Sequence, residues 1–145
     1  MGGRVVLALQ ASCVAIGERG LLIEGPPGSG KSGLALALID RGAVLVGDDS
    51  LMVEADAGRL VARPHPQTRG LLEVRNLGLV RMPVCEQVPV SLVVRLDEAA
   101  ARYIEEPDTA LIEAVPIPLV RLWPESQSLV LKAELALERF GLAAR

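Results

Sequence analysis

The chain has 145 residues, of which half are hydrophobic, and its formal net charge is −3. This length suits one domain, and the apolar half can bury a core without disulfides or metals. The acidic balance argues against a protein that binds nucleic acid by broad phosphate neutralisation, and without an uncharged apolar run of about 18 residues we expect no transmembrane helix.

The N-terminal region is more typical of a folded domain than of a targeting signal. Residues 4–16 predict an opening strand region rather than a signal peptide, so we expect a cytoplasmic protein. Cys13 and Cys85 are expected to be reduced and buried, because disulfides are rare in that compartment and their spacing fits no metal pattern. His65 lies between two prolines, which favours a surface loop over a role as ligand or base.

A strand, a helix and a second strand are predicted in close succession. Arg19–Gly25 predicts an apolar strand, and the leucine and alanine spacing that follows predicts a helix from Lys31 that Gly42 ends. Residues 43–49, AVLVGDD, predict a second apolar strand that ends in two aspartates.

The middle of the chain carries hairpin and strand signals. Residues 51–63 predict a β-hairpin whose turn is Asp56–Arg59, and residues 70–84 predict a strand–turn segment. Val88–Leu96 is rich in β-branched residues and predicts a further strand. Such a mixture favours an α/β sheet that is partly antiparallel rather than purely doubly wound.

The C-terminal third combines helix and strand signals. Asp97 is predicted to cap a short helix that reaches Tyr103. Prolines favour an extended conformation over residues 114–124, since proline disrupts a helix interior. Apolar side chains on one helical face predict a last helix that Gly141 ends.

The stretch GPPGSGKS satisfies the phosphate-loop pattern G-x-x-x-x-G-K-[ST]. Glycines let the backbone fold tightly around one anion, and the following helix directs its positive end to the same place. We expect Lys31 to place its charge between the β- and γ-phosphates of a nucleotide, and the Ser32 hydroxyl to ligate Mg²⁺. The predicted nucleotide-binding residues are Gly25, Pro26, Pro27, Gly28, Ser29, Gly30, Lys31 and Ser32.

Lysine is rare in this chain. Of 15 basic residues only Lys31 and Lys132 are lysines, and the other 13 are arginines. An ammonium group is a more compact point charge among phosphates than a planar guanidinium, so a lysine at this position favours a phosphate site. The alternative interpretation is a glycine-rich strand–helix turn that binds no ligand.

Two adjacent aspartates end the second strand. Asp48 and Asp49 follow Lys31 by 17 and 18 residues. In phosphate-loop enzymes an acid at a strand end commonly reaches the metal, and a second carboxylate can accept a proton from an incoming hydroxyl. The alternative is the solvated start of a loop.

Two stretches in a fixed order resemble a known family. They are GPPGSGKSGLALALIDRGAVLVGDDS and LLEVRNLGLVRMPV, and together they make the chain resemble the catalytic domain of HPr kinase/phosphorylase, the bacterial enzyme that phosphorylates a serine of the phosphocarrier protein HPr. The similarity spans residues 9–84, with a weaker likeness to the end. It implies an α/β fold, a P-loop-containing mixed sheet with flanking helices that is HPr kinase/phosphoenolpyruvate carboxykinase-like. Residues 1–145 would form a single P-loop kinase catalytic domain, in the short form that lacks the N-terminal domain.

The resemblance also implies roles for single residues. Lys31 and Asp48 would be catalytic, with Asp48 taking the proton from the substrate serine and returning it in the reverse reaction. Asp49 would support the metal and the base, and Glu73 would join Ser32 in binding Mg²⁺. The implied cofactors are ATP and Mg²⁺, and the implied partner is an HPr-like phosphocarrier protein, with neither nucleic acid nor a membrane involved.

The chain departs from the family pattern at several positions. Gln10 stands where the family usually has a histidine, and Gly33 stands where it often has an acid, which leaves open altered regulation, weak phosphorolysis or an inactive relative. Asn76 replaces a signature glycine, and asparagine tolerates a left-handed backbone well. The late phosphate-contacting arginine of the family has two candidates here, Arg121 and Lys132.

Two other functions stay open at this point. A small-metabolite kinase would need a lid that closes over its substrate, and no arginine-rich lid insertion is visible. A nucleotide-sensing module without phosphotransfer is favoured slightly by Gln10 and Gly33. The sequence also leaves open the oligomeric state, self-association included, the phosphocarrier and any regulating metabolite.

Overall fold

The structure is a computed structural model that describes residues 6–124 and 126–144. Residues 4 and 5 of the expected opening strand region lie outside the described part of the chain. The elements are β1 (Val6–Leu9), β2 (Ser12–Ile16), β3 (Arg19–Glu24), α1 (Lys31–Asp40), β4 (Val44–Gly47), β5 (Leu51–Asp56), β6 (Arg59–Pro64), β7 (Leu71–Val74), β8 (Gly78–Arg81), β9 (Val88–Leu96), β10 (Asp108–Ile112), β11 (Val115–Leu122) and α2 (Leu129–Phe140).

A mixed sheet forms the framework, which confirms the expected partly antiparallel α/β architecture. Its strand order is β1-β5-β6-β9-β3-β2-β4, with β11 also paired to β9 and β10 to β11. β9 pairs in parallel with β3 and β11, whereas β2 pairs antiparallel with both β3 and β4. β7 and β8 form a separate two-stranded sheet.

Alternating side chains of the central strands fill two hydrophobic cores. In β3, Leu21 and Ile23 pack into the core that contains α1 and α2, while Leu22 packs into the core on the opposite face. The second core is completed by side chains of β5 and β6, so the curled sheet covers its own inner face. Period-2 burial on both faces explains why these strands read as continuous apolar runs.

The two tight turns follow the backbone chemistry of their residues. The predicted hairpin turn joins Asp56 to Arg59 through Ala57 at φ 51° and Gly58 at φ 78°, which matches the positive φ angles of a two-residue hairpin turn. Asn76 lies at φ 72° between β7 and β8, so the asparagine does adopt the left-handed conformation.

The predicted short helix from Asp97 to Tyr103 is wrong. Asp97 Oδ1 instead accepts a hydrogen bond from the N–H of Ala99 at 2.8 Å, which closes a turn. The Trp123 indole N–H donates to the carbonyl oxygen of Ala100 at 2.8 Å. The turn that Asp97 closes therefore forms here in place of the helix that the alanines favour.

Both cysteines are free thiols, as predicted. Cys13 is fully buried, and burial raises the pKa of its thiol well above the usual range, so the protonated form persists. Cys85 is only partly buried, so the expectation of burial is wrong for this residue. Neither helix in the described part of the chain has the length and apolar character needed to cross a bilayer.

Candidate functional site

The glycine-rich loop joins β3 to α1 at the mouth of a cavity of about 770 Å³. Gly28 and Gly30 adopt φ angles of 79° and 100°, which residues with a side chain rarely adopt. We call this space the loop cavity. It is lined by Gln10, Gly25, Pro27, Gly28, Ser29, Gly30, Lys31, Ser32, Gly33, Leu36, Asp49, Glu73, Val74, Arg75 and Pro124.

The N-terminus of α1 opens into this cavity. No side-chain hydrogen bond caps this end, and the first turn carries no acidic residue. The first N–H groups of a helix have no partner within it, and the helix dipole makes this end attractive to anions. The Ser29 hydroxyl is buried without a hydrogen-bond partner in the described residues, so the loop holds a further unsatisfied polar group.

Lys31 lies over the loop rather than in solvent. Its ammonium donates to the carbonyl oxygen of Gly25 at 3.0 Å and reaches that of Pro26 at 3.5 Å. Both acceptors are uncharged, so these contacts hold the ammonium at the cavity without compensating its charge. The predicted residues of the loop are thus brought together, although Pro26 does not line the cavity wall. Asp48, the predicted base outside the loop, does not line it either.

Asp48 is the centre of a buried hydrogen-bond network. Its Oδ1 accepts from the hydroxyl of Ser32 at 2.7 Å and from that of Ser12 at 2.9 Å. Its Oδ2 accepts from the backbone N–H of Glu73 at 2.9 Å. Only 9% of Asp48 is exposed, and one carboxylate therefore ties together α1, β2 and β7.

Asp49 has different surroundings from its neighbour. Its side chain is exposed and lines the loop cavity, and its backbone adopts a φ of 58°. The N–H of Asp49 donates to Ser12 Oγ at 3.1 Å, so the hydroxyl that binds Asp48 also fixes the next residue. The two aspartates share one positioning hydroxyl but face opposite environments.

The β7–β8 hairpin presents a carboxylate and a guanidinium to the same cavity. Glu73 and Arg75 are exposed and line the cavity wall, while Leu72 is fully buried against α1 and the main sheet. Because neighbouring side chains of a strand alternate between faces, burial of Leu72 directs Glu73 outward. Gln10 is exposed and lines this cavity too.

Arg121 and Lys132, the two candidates for the late phosphate-contacting residue, do not line the loop cavity. Arg121 pairs with Asp108 and lies 3.7 Å from Asp97, and its side chain lines a second cavity of about 400 Å³. Lys132 lines the same second cavity, 5.5 Å from the ring centre of Trp123. We call it the aromatic cavity; it is lined by residues 100–104, 121–123, 132, 135, 136, 139 and 140. Neither candidate cation faces the loop cavity.

Two residues of the site were missed by the sequence analysis. Ser12 lies 36 residues before Asp48, and its hydroxyl is the only polar side-chain group that β2 places in this network. Nothing in the residues around Ser12 indicates that contact. Arg75 belongs to the signature LLEVRNLG, so its position two residues after Glu73 in a strand–turn segment could have identified it.

The oxygen donors of the site suit Mg²⁺ only if a bound ligand, such as a phosphate, supplies further oxygen atoms. Ser32, Asp49 and Glu73 all line the loop cavity, and their side chains carry the hard oxygen donors that Mg²⁺ prefers. In the described residues no group of three or more His, Cys, Asp or Glu side chains is arranged to hold a metal by itself. Mg²⁺ in nucleotide sites usually keeps several waters and binds one or two carboxylates plus phosphate oxygens, which fits this donor set.

Comparisons with known proteins point to one family. Residues 6–108 match the family model described as the HPr Serine kinase C-terminal domain. The chain is 31% identical over 105 residues to HPr kinase/phosphorylase of Mycoplasma mycoides, covering 68% of this chain and 34% of that protein. It is 35% identical over 114 residues to HPr kinase/phosphorylase of Lacticaseibacillus casei, covering 70% of this chain and 36% of that protein. The chain thus spans about a third of the length of these curated relatives.

A solved structure shares the fold. The HPr(Ser) kinase/phosphatase from Coxiella burnetii matches with a TM-score of 0.80 and 25% identity, over 91% of this chain and 94% of that one. The likeness includes the mixed sheet and both helices described above. With more than half of its residues matched by the family model, the chain belongs to the family of HPr serine kinase C-terminal domains.

Proposed function

We propose that this domain transfers the γ-phosphate of ATP to a serine of an HPr-type phosphocarrier protein. The observation that carries the proposal is the loop cavity, where an uncapped helix N-terminus, Lys31 and oxygen donors meet in a domain of the HPr serine kinase family. The relatives are named HPr kinase/phosphorylase, which supports both the forward reaction and its reversal by phosphate. The proposed use of ATP and a phosphocarrier protein would put this chemistry in the cytoplasm.

The glycine-rich loop would act as a P-loop that holds the nucleotide. Its positive-φ glycines leave the backbone N–H groups close to the cavity, where they can donate to the β- and γ-phosphates. Lys31 would move from two carbonyl oxygens to phosphate oxygens, because an ionised acceptor gives a stronger hydrogen bond. Most of the rate enhancement would come from positioning and charge stabilisation.

Ser32, Glu73 and Asp49 would hold Mg²⁺ beside the phosphates. A bound Mg²⁺ ion would supply compact positive charge that neutralises the transferring phosphoryl group. Because Ser32 donates its proton to Asp48, the lone pairs of its oxygen are left for a cation. Glu73 is held by a backbone contact to the same carboxylate, so its position depends on Asp48 as well.

A transfer assay tests the proposal directly. The chain is incubated with Mg²⁺, γ-labelled ATP and a panel of purified HPr-type proteins, and mass spectrometry locates the label. Label on one serine is the expected result. Label on a small metabolite, or tight ATP binding without transfer to any protein of the panel, would contradict it.

One observation favours a second candidate, a nucleotide-sensing module that transfers no phosphate. Gln10 lines the loop cavity and cannot exchange a proton, whereas the family usually has a histidine there. Gln10→His distinguishes the two functions: a kinase that lacks only the reverse reaction would gain phosphorolysis, and a pure sensor would gain neither direction.

A further inference from the structure

We propose that the outer face of the β7–β8 hairpin is the surface on which the phosphoacceptor protein docks. We call it the hairpin face, and it consists of Glu73, Arg75, Leu77, Leu79 and Arg81. This inference rests on the proposed function and names the surface by which the HPr-type protein would reach the loop cavity. The observation behind it is a pair of exposed leucines on the hairpin that forms part of the cavity wall.

The hairpin has one buried side and one exposed side. Leu72 is fully buried in the core that contains α1, and its cross-strand partner Val80 is half-buried. Glu73 pairs with Leu79 across the hairpin, and both residues are exposed. Directly paired residues of an antiparallel sheet point to the same side, with their Cβ atoms about 5 Å apart. Leu79 therefore lies beside Glu73, which lines the loop cavity.

The two leucines are unusually open to solvent. Leu79 is 68% exposed, and Leu77, in the turn of the hairpin, is 76% exposed. A single exposed leucine is ordinary on a protein surface, whereas neighbouring ones beside a ligand cavity are typical of a contact surface. A partner that covered both side chains would remove their apolar area from water, which favours binding.

A protein substrate must cover more than the mouth of the cavity. Interfaces between proteins bury about 600–800 Å² of each partner, and a serine enters the cavity only when the surface around it lies against the rim. The hairpin contributes Glu73, Val74 and Arg75 to that rim. A partner whose serine reaches the nucleotide would therefore extend over Leu77 and Leu79.

Two arginines give the hairpin face its charge. Arg75 and Arg81 are exposed, and neither forms an ion pair within the described part of the chain. They outnumber the one carboxylate of the face, Glu73, which is the proposed Mg²⁺ ligand. The hairpin face thus fits a partner on which an apolar patch and carboxylates surround the serine.

Leucine-to-serine variants of the hairpin face, with a similarly exposed leucine as control, test the docking. The double variant Leu77→Ser/Leu79→Ser should raise both the KM for the phosphocarrier and its Kd, measured by titration calorimetry with a non-hydrolysable ATP analogue, by about tenfold or more. The kcat and the Mg-ATP affinity should stay within about twofold and the melting temperature should not change, because both side chains are exposed and outside the cavity wall. Leu111→Ser, at a residue of β10 that is 71% exposed and lines neither cavity, should change none of these quantities.

Arg81→Gln tests the charge of the hairpin face separately. The variant should raise the KM for the phosphocarrier by about two- to threefold and weaken its dependence on ionic strength, since a charge at the rim of an interface mainly steers the encounter. The same salt dependence in Arg81→Gln and in the wild type would contradict the charge complementarity.

Binding measured without turnover keeps this inference separate from the proposed function. If the wild-type chain binds a phosphocarrier but transfers no phosphate, the proposed function fails, and the Kd of the double variant still decides the docking. A double variant that binds and phosphorylates the partner as the wild type does overturns the docking while the proposed function stands. The docking is also overturned if sedimentation shows a wild-type dimer and a monomeric double variant with unchanged KM, since the leucines would then join two copies of this chain. A wild-type chain that binds no protein of the panel overturns both.

Discussion

Two cavities of this domain are built in opposite ways. Most of the loop cavity is made by one continuous stretch from the end of β3 into α1, and its wall is glycine backbone, hydroxyl and carboxylate. The aromatic cavity is assembled from three separate segments and contains Tyr103, Trp123 and Phe140, the chain's only tyrosine, tryptophan and phenylalanine. Each of these rings lies within 5.5 Å of a cationic group. The loop cavity is therefore encoded by a local sequence motif, whereas the aromatic cavity exists only because the fold brings distant segments together.

The two lysines of the chain give the largest contrast between these cavities, because each cavity contains one. Lys31→Ala should reduce phosphoryl transfer by about 100- to 1000-fold, since a charge aimed at the transferring group is lost. Lys132→Ala, the matched control, should leave Mg-ATP affinity within roughly twofold, as for a surface change remote from the ligand. Titration calorimetry and the transfer assay measure both. An equal loss of nucleotide affinity in the two variants would mean that the cavities do not act separately.

For the β7–β8 hairpin we expect an effect of intermediate size, on the Mg²⁺ requirement. Glu73→Gln should raise the Mg²⁺ concentration for half-maximal transfer by about tenfold, because a charged oxygen donor is replaced by a neutral one. Glu18→Gln, at an exposed turn outside both cavities, is the control and should cause no change. Unaltered magnesium dependence in Glu73→Gln would remove this carboxylate from the site.

Two glycines of the loop cavity differ in why they are glycine: Gly30 has a positive φ angle, whereas Gly33 lies in α1 with open space around it. Gly30→Ala should lower the free energy of unfolding by about 1–2 kcal/mol, because a side chain at φ 100° is strained. Gly33→Ala should raise it by about 0.5–1 kcal/mol, since this residue lies in α1 with no atom within 4 Å of an added Cβ. Urea denaturation of the free protein measures both. Shifts of the same sign would contradict the loop geometry.

The last prediction concerns the reactivity of the cysteine in β2, the strand that also carries Ser12. Cys13 follows Ser12 on that strand, and burial raises the pKa of its thiol, so little thiolate exists at neutral or mildly alkaline pH. Alkylation of the native protein should therefore modify Cys85 alone, and Cys13 should react only after unfolding. Peptide mass spectrometry identifies the site, and rapid labelling of Cys13 in the native state would show that β2 is not sealed.

The same contrast explains what the sequence could predict. The loop, α1 and the strands beside it follow from local patterns, because glycine spacing and apolar periodicity act over a few residues. The turn at Asn76 was predictable for the same reason. The network around Asp48 was not, because Ser12 and Glu73 reach it from distant strands. The contact of the Trp123 indole with Ala100 was equally hidden, since the two residues lie 23 positions apart in the sequence.

The central claim is that the loop cavity holds the terminal phosphates of a nucleotide beside Ser32, Asp49 and Glu73. A crystal structure of the chain with Mg²⁺ and a non-hydrolysable ATP analogue tests it most directly. We expect the β- and γ-phosphates to lie against the backbone N–H groups of residues 28–32, with the Lys31 ammonium turned from its carbonyl partners toward them. A nucleotide bound in the aromatic cavity, with the glycine-rich loop unchanged and unliganded, would contradict the claim.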